Sequence, residues 1–176
     1  MKIIIAGAGA VGTHLAKLLS REKQDIILID DNEERMSTLS SNFDLMTVNA
    51  SPTSIKGLKE VGAGEANLFI AVTPDESRNI TACMLATNLG AVKTVGRIDN
   101  YEYLLPKNKE FFQKLGVDSL IYPEMLAAKE IVRKSDTGSG TISLISGYSP
   151  DSIAGITKAW DSSLPSSYFN ESIVGG

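Results

Sequence analysis

The sequence predicts an α/β fold with a doubly wound, mostly parallel sheet, and three observations carry that prediction. Apolar runs of strand length alternate with segments of helical apolar spacing, six times between residues 2 and 134. The first strand runs directly into a glycine-rich turn, and the second strand ends on the acid Asp30. Strands that alternate with helices pair in parallel, so we expect helices on both faces of one sheet.

The strands are predicted from short, continuous apolar runs, which are typical of strands buried on both faces of a parallel sheet. In chain order these runs cover residues 2–6, 25–29, 45–48, 68–72, 94–98 and 117–122. The helices that alternate with them are predicted over residues 10–19, 31–40, 51–61, 73–89, 101–115 and 123–134. A break is expected before Pro106, because proline disrupts a helix interior.

Two of these helices have a predicted start in which a cap residue precedes proline at the first helical position. Ser51 precedes Pro52 in this way, and Thr73 precedes Pro74 within the capping box of residues 73–76. Both helices are therefore predicted to begin within three residues of the end of a strand, at the edge of the predicted sheet.

The turn after the first strand, residues 7–12, is a complete G-x-G-x-x-G. Gly7 lets the chain turn tightly, Gly9 lets the backbone approach a pyrophosphate, and Gly12 lets the next helix pack closely on the sheet. That helix offers unpaired N–H groups and the positive end of its dipole to phosphates. Asp30 lies eighteen positions after Gly12, where a carboxylate accepts hydrogen bonds from a ribose hydroxyl. Together these features predict a dinucleotide- or nucleotide-binding Rossmann unit.

A ligand of such a sheet lies across the carboxyl ends of the strands, at the point where the strand order reverses. Adenosine is therefore expected over Asp30 and Asn49, with its phosphates at residues 9–12. The acid should repel a 2′-phosphate, so NAD(H) or an adenine nucleotide is preferred over NADP.

Each polar candidate also has a structural alternative. Asp30 fits a cap for the helix that follows it, and Asp31 fits a share in that role. Thr73 fits a helix cap as well as a ligand contact. Arg97 fits either a phosphate contact or a surface ion pair, and Asn79 fits either a pocket residue or an exposed helical residue.

Composition argues against several classes of protein. The 176 residues carry a formal net charge of −4, which argues against a nucleic-acid binder with a broad basic face. No apolar run reaches the length of a membrane span. The single cysteine, Cys83, excludes an internal disulfide and fits a reducing cytosol. With one histidine besides, a structural zinc site has no ligand set.

The sequence favours a binding module over an enzyme. No carboxylate–histidine or cysteine–histidine set is placed for acid–base or nucleophilic chemistry. His14 lies on the predicted phosphate-binding helix and fits a packing or surface residue better than a general base. No substrate domain follows to present a hydride acceptor. The alternative is an NAD-dependent oxidoreductase fragment that lacks its substrate domain.

The predicted nucleotide-binding domain covers residues 1–134, and composition changes at Ser135. Residues 136–140 are rich in glycine and serine and fit a linker. The C-terminal extension, residues 135–176, has one strand-like run at 141–145. A short hairpin or partly disordered tail is therefore expected rather than a second domain. The alternative is that this extension begins a longer C-terminal region.

Four segments taken together are more specific than the glycines alone. They are residues 1–12 (MKIIIAGAGAVG), 29–35 (IDDNEER), 71–79 (AVTPDESRN) and the strand and helix start at 116–124. On these segments the chain resembles the RCK (KTN) domains, which regulate potassium channels and transporters. The resemblance covers residues 1–134.

The resemblance implies ligand sensing. In such domains NAD(H) or ATP/ADP binds at the glycine loop, the acid after the second strand holds the ribose, and the domains assemble as dimers and rings. Ala10 stands where ATP-selective relatives carry an arginine, so NAD(H) is the expected ligand and ATP or ADP is the alternative. The candidate cofactor-binding residues are then Gly7, Ala8, Gly9, Ala10, Val11, Gly12, Asp30, Asp31, Arg35, Asn49, Ala50, Thr73 and Arg97.

The same resemblance implies a cytoplasmic regulatory subunit or domain, peripheral to the cytoplasmic face of the inner membrane and not itself membrane-spanning. Its expected partners are a membrane-embedded potassium transporter or channel subunit and further copies of itself, as a homodimer or higher oligomer. Ligand-dependent rearrangement of the ring would gate the membrane partner, with a coupling of ~1–3 kcal/mol. The apolar side of the last helix, at Met125, Ile131 and Val132, is expected to form either the subunit contact or a packing face on the sheet.

Overall fold

The computed structural model describes residues 1–20, 24–42 and 45–123. Its strands are β1 Lys2–Ala6, β2 Asp25–Asp30, β3 Met46–Asn49, β4 Leu68–Ala71, β5 Thr94–Arg97 and β6 Ser119–Ile121. They pair in parallel throughout, in the order β3-β2-β1-β4-β5-β6. The strand order reverses between β1 and β4, which is the switch point of a doubly wound Rossmann sheet. The predicted fold class is confirmed.

Helices alternate with these strands. They are α1 Ala10–Ser20, α2 Glu33–Asn42, α3 Ile55–Glu60, α4 Glu76–Leu89 and α5 Pro106–Lys114, with short 3₁₀ turns at Ala63–Glu65 and Tyr101–Leu104. The break predicted before Pro106 lies between the second 3₁₀ turn and α5, because Pro106 takes the first helical position.

The predicted start of the third helix was wrong. The helix α3 begins at Ile55 and is capped by Ser54, whose hydroxyl oxygen accepts a hydrogen bond from the Gly57 N–H at 3.2 Å. Ser51 instead pairs with the Thr53 hydroxyl at 3.0 Å. A turn therefore separates β3 from α3, and the nearer serine caps the helix.

The capping box predicted at residues 73–76 was also wrong. The helix α4 begins at Glu76 and its cap is Asp75, whose carboxylate accepts two first-turn N–H groups at 2.9 and 3.2 Å. The Thr73 hydroxyl donates to the Asn79 side-chain oxygen instead, at 2.7 Å. The Glu76 carboxylate is occupied elsewhere, since it accepts the Asp99 N–H at 2.8 Å.

The core lies on both faces of the sheet. Ile4 of β1 packs in a cluster with Phe69 of β4, Leu58 of α3 and Cys83 of α4. Its neighbour Ile5, which points to the opposite face, is also fully buried. Burial on both faces explains why the strands read as continuous apolar runs rather than as alternating patterns.

Contacts divide the chain into two units, Met1–Tyr122 and Pro123–Gly176. The described residues belong almost entirely to the first unit. The helix predicted over residues 123–134, the tail at 135–176 and the apolar face at Met125 lie outside the described residues, apart from Pro123. The predicted domain boundary at residue 134 stays a prediction.

Candidate functional site

The glycine loop between β1 and α1 has close backbone contacts that require glycine at two positions. Gly7 has φ +114°, and a Cβ there would lie 2.9 Å from the backbone nitrogen of Thr73. A Cβ on Gly12 would overlap the carbonyl oxygen of Gly7. Gly9 differs, because a Cβ there would meet no atom within 4 Å. The loop is therefore built tightly on β4 and α1, while its middle faces open space.

The start of α1 faces the same loop. The first intrahelical hydrogen bond runs from the Thr13 N–H to the Gly9 carbonyl at 2.9 Å. The N–H groups of Ala10, Val11 and Gly12 precede it, and these are the groups that a helix N-terminus presents to an anion. The role of these groups in binding phosphate stays a prediction.

Asp30 ties the glycine loop to the loop after β2. The residue is 7% exposed, and its Oδ2 accepts the Ala8 N–H at 2.6 Å while Oδ1 accepts the Asn32 N–H at 2.8 Å. The cap of α2 is Asn32, which accepts the Arg35 N–H at 2.9 Å. The alternative in which Asp30 or Asp31 caps α2 was therefore wrong. Each carboxylate oxygen of Asp30 keeps a second lone pair for another donor.

Asp31 has a partner that the sequence analysis did not include in the site. Arg78, in the first turn of α4, donates through Nη2 to Asp31 Oδ2 and, at 3.1 Å, to the Ser51 hydroxyl. The sequence signal for this contact is electrostatic. A cation in the first turn of a helix opposes the helix dipole, so a nearby acid is expected to offset it.

Asn79 lies in neither of the places proposed for it. It is fully buried, and its amide donates to the carbonyls of Thr73 at 2.9 Å and Arg97 at 3.0 Å. Its side-chain oxygen accepts the Thr73 N–H at 2.8 Å. Asn79 therefore joins the ends of β4 and β5, and Thr73 is held by this contact.

Arg97 forms the ion pair that was one of its two alternatives. Its Nη2 atom lies 2.9 Å from Asp99 Oδ1, with side chains 23% and 44% exposed. Arg97 Nε is buried without a hydrogen-bond partner in the described structure. The guanidinium therefore keeps one donor that its own neighbours do not satisfy.

An open cleft of about 480 Å³ lies beside the glycine loop, and this volume falls within the range of ligand pockets. It is lined by Ala8, Thr13, Asn32, Glu34, Arg35, Thr38 and Leu39. Two of the candidate residues, Ala8 and Arg35, line it directly. Asn49, exposed at the end of β3, and Thr73 and Arg97, at the ends of β4 and β5, lie along the same edge but outside this cleft.

The structure buries the thiol of Cys83 and one ring nitrogen of His14. The Cys83 thiol is fully buried in the core, and burial raises its pKa above the ordinary value. His14 Nε2 is buried on α1 without a hydrogen-bond partner in the described structure.

Among residues 1–20, 24–42 and 45–123 there is no cluster of acids, histidine and cysteine that could hold a metal ion. The same ranges contain no helix long and apolar enough to cross a membrane.

Known proteins resemble the chain in sequence. The family model for the TrkA-N domain matches residues 3–123. The Trk system potassium uptake protein TrkA of Haemophilus influenzae is 44% identical over 135 residues, which is 76% of this chain and 30% of that protein. The corresponding protein of Vibrio alginolyticus is 40% identical over 135 residues, with the same coverage. The chain thus spans less than a third of the length of these relatives.

Solved structures share the fold at low sequence identity. The NAD(P)-binding domain of an exopolyphosphatase-related protein from Archaeoglobus fulgidus has a TM-score of 0.66 and 18% identity, over 77% of this chain and 97% of that one. The GsuK channel bound to NAD has a TM-score of 0.60 and 17% identity, over 71% and 22%. The Shewanella denitrificans Kef C-terminal domain in its AMP-bound form has a TM-score of 0.58 and 19% identity, over 90% and 92%.

Proposed function

The chain belongs to the TrkA-N domain family, and from that premise we propose that it is a nucleotide-sensing regulatory domain of a potassium uptake system. The resemblance to RCK (KTN) domains, drawn from segments such as 1–12 and 71–79, is confirmed by the family match. In this proposal the ligand is an adenosine phosphate, bound along the edge of the sheet that carries the glycine loop.

The observation that carries the proposal is the link between Asp30 and Ala8. The carboxylate at the end of β2 bonds directly to the glycine loop at 2.6 Å, so the residue proposed to bind the ribose is joined to the loop proposed to bind the phosphates. Phosphates would lie at the N–H groups of residues 10–12, beside the open space at Gly9. The ribose hydroxyls would donate to the remaining lone pairs of Asp30.

We propose NAD(H) as the ligand, with ATP or ADP as the alternative. Asp30 places a carboxylate where NADP would carry a 2′-phosphate, which disfavours NADP. Two of the similar structures support an adenosine phosphate, since one is described as bound to NAD and the other as bound to AMP. Asp31, Arg35, Asn49, Ala50, Thr73 and Arg97 would surround the ligand from the loops along the edge.

The proposed role is regulatory rather than catalytic. The relatives are named as potassium uptake proteins, so a membrane-embedded potassium transporter subunit is the proposed partner. The domain would lie at the cytoplasmic face of the membrane and assemble with further copies of itself. A ligand would gate the partner only through its different affinity for two states of that assembly.

Thermal unfolding with separate additions of NADH, NAD, AMP, ADP and ATP tests the proposal. A ligand that binds only the folded state stabilises it by about 2.7 kcal/mol at a concentration 100 times its Kd. NADH should therefore raise the Tm by several degrees, and Asp30→Ala should remove most of that rise. The absence of a shift with all five ligands would contradict nucleotide sensing. NADH turnover with small carbonyl substrates would contradict the regulatory role.

A further inference from the structure

A single arginine side chain crosses the edge of the sheet at its switch point. Arg78 follows β4, whereas its two partners, Asp31 and Ser51, follow β2 and β3. In the sheet, β1 lies between β4 and β2. The Arg78 side chain therefore reaches past the end of β1 to join two loops on the far side. We call this contact the Arg78 bridge.

The Arg78 bridge holds the loops that carry the proposed adenosine contacts. Asp31 directly follows Asp30 in the chain. Ser51 directly follows Ala50, whose N–H donates to the Asp30 carbonyl at 3.0 Å. The bridge therefore constrains the residues that directly follow Asp30 and Ala50 in these two loops.

The arginine itself is held firmly. The next residue in α4, Asn79, is fully buried and bonds to backbone groups at the ends of β4 and β5. The Arg78 backbone is anchored through this neighbour, on the half of the sheet beyond the switch point. The Arg78 bridge thus holds the two loops in place relative to α4.

We propose that Arg78 is a positioning residue for the adenosine end of the ligand, acting through Asp31 and Ser51. This inference rests on the proposed function, because it concerns the same site. The bridge sets the spacing between the loops after β2 and β3 before the ligand arrives, which lowers the cost of ordering them on binding. Loss of the bridge lowers the affinity of the site for every ligand that carries an adenosine phosphate.

Because the Arg78 bridge is partly exposed to solvent, a role in ligand binding can be distinguished from a role in folding stability. The Arg78 and Asp31 side chains are 28% and 47% exposed. An ion pair this accessible to solvent contributes little to folding stability. Its loss should therefore appear in ligand affinity and leave the Tm of the ligand-free protein nearly unchanged.

Isothermal titration of the full chain with NADH and with AMP tests the proposal in four variants: Arg78→Ala, Asp31→Asn, the double variant and Lys93→Ala. Lys93 is the matched control, because it lies 3.7 Å from Asp118 in an exposed ion pair before β5 and β6, at the opposite edge of the sheet. Arg78→Ala should weaken both ligands roughly fivefold or more, the lower end of common coupling effects. The control should bind as the wild type does.

The double variant shows whether Arg78 acts through Asp31. Adding Asp31→Asn to Arg78→Ala should weaken binding by less than Asp31→Asn does alone, because the shared contact is already lost. Additive effects, or unchanged affinity in Arg78→Ala, would overturn the proposal while leaving nucleotide binding intact. If Arg78→Ala does not fold, Asp31→Asn decides alone, and wild-type affinity there overturns the proposal. A wild-type chain that binds neither ligand would overturn this inference together with the proposed function.

Discussion

Asp30 Oδ2 accepts the Ala8 N–H at 2.6 Å, so the acid that ends β2 is bonded to the glycine loop that follows β1. The two residues are 22 positions apart in the chain. Because Asp30 is only 7% exposed, this contact is both part of the fold and part of the proposed site. Substitutions there should affect stability and ligand binding together.

Asp30→Asn tests that double role. An amide keeps one acceptor oxygen but turns an NH₂ group toward a backbone N–H, so one of the two hydrogen bonds is lost. Leaving a buried N–H unpaired costs about 1–3 kcal/mol. A loss of that size lowers the Tm by about 2–4 °C for each kcal/mol in a chain of this length. Thermal unfolding with and without NADH should show both a lower Tm and a smaller ligand-induced rise. An unchanged Tm would contradict the structural part of the account.

Gly9→Ala and Gly12→Ala form a matched pair that separates binding from folding. A Cβ at Gly9 meets nothing within 4 Å, so the ligand-free Tm should stay within about 2 °C of the wild type. The same methyl group would stand in the space proposed for the pyrophosphate, so NADH affinity should fall at least about tenfold, a loss of about 1.4 kcal/mol. Calorimetry measures both quantities.

Gly12→Ala should behave in the opposite way. Its Cβ would overlap the Gly7 carbonyl, which forces α1 away from the turn and destabilises the fold. Urea unfolding should show a clear loss of stability before any ligand is added. A stable Gly12→Ala variant would contradict the close packing of α1 on the glycine loop, and a Gly9→Ala variant with wild-type affinity would contradict the placement of the phosphates.

Asn79→Ala tests the link between the ends of β4 and β5. The substitution removes the partner of the buried N–H and carbonyl groups of Thr73, at a cost of about 1–3 kcal/mol for each group, and of the partly buried Arg97 carbonyl. Asn88→Ala on the same helix is the control, since that amide makes one exposed hydrogen bond to the Met84 carbonyl. In urea, the free energy of unfolding should fall by at least about 2 kcal/mol for Asn79→Ala, and by about 0.5 kcal/mol or less for the control. Equal losses would contradict the buried role of Asn79.

Cys83 provides a probe of unfolding. Burial raises the pKa of its thiol, so the folded state holds the proton more tightly than the unfolded state does. The buried neutral thiol therefore contributes to the free energy of unfolding below the ordinary pKa of 9.0, and this contribution is lost as the pH rises above 9.0.

At pH 8 a disulfide reagent should react slowly with Cys83 in the native chain and rapidly in denaturant. Saturating NADH should slow the native reaction further. Rapid labelling of the native chain would contradict the burial of Cys83.

The sheet could be predicted from sequence because its central strands β1, β2 and β4 are buried on both faces. Side chains such as Ile4 and Ile5 are both apolar and both buried, so each strand stands out as a continuous run. The glycine loop could also be predicted, since its three glycines form a local pattern directly after the apolar run of β1. Both patterns lie within short segments of the chain, although the contact that requires glycine at position 7 is with the distant Thr73.

The polar contacts along the edge could not be predicted in the same way. Ser51 and Thr73 precede prolines and satisfy the local rule for a helix cap, yet Ser54 and Asp75 form the caps. The contact between Arg78 and Asp31 joins residues 47 positions apart, across a strand whose neighbours are known only once the sheet is assembled. Local patterns do not contain that information.

The amide spectrum of the chain during titration with NADH tests the central claim most directly, because it reports where the ligand binds. The account predicts saturable shifts for the amides of residues 8–12 and 30–32, with much smaller shifts at the opposite edge of the sheet, around Lys93 and Asp118. Gly9→Ala should weaken this response. Saturable shifts confined to other residues, or no saturable shifts with NADH or AMP, would contradict the claim that this edge of the sheet binds an adenosine phosphate.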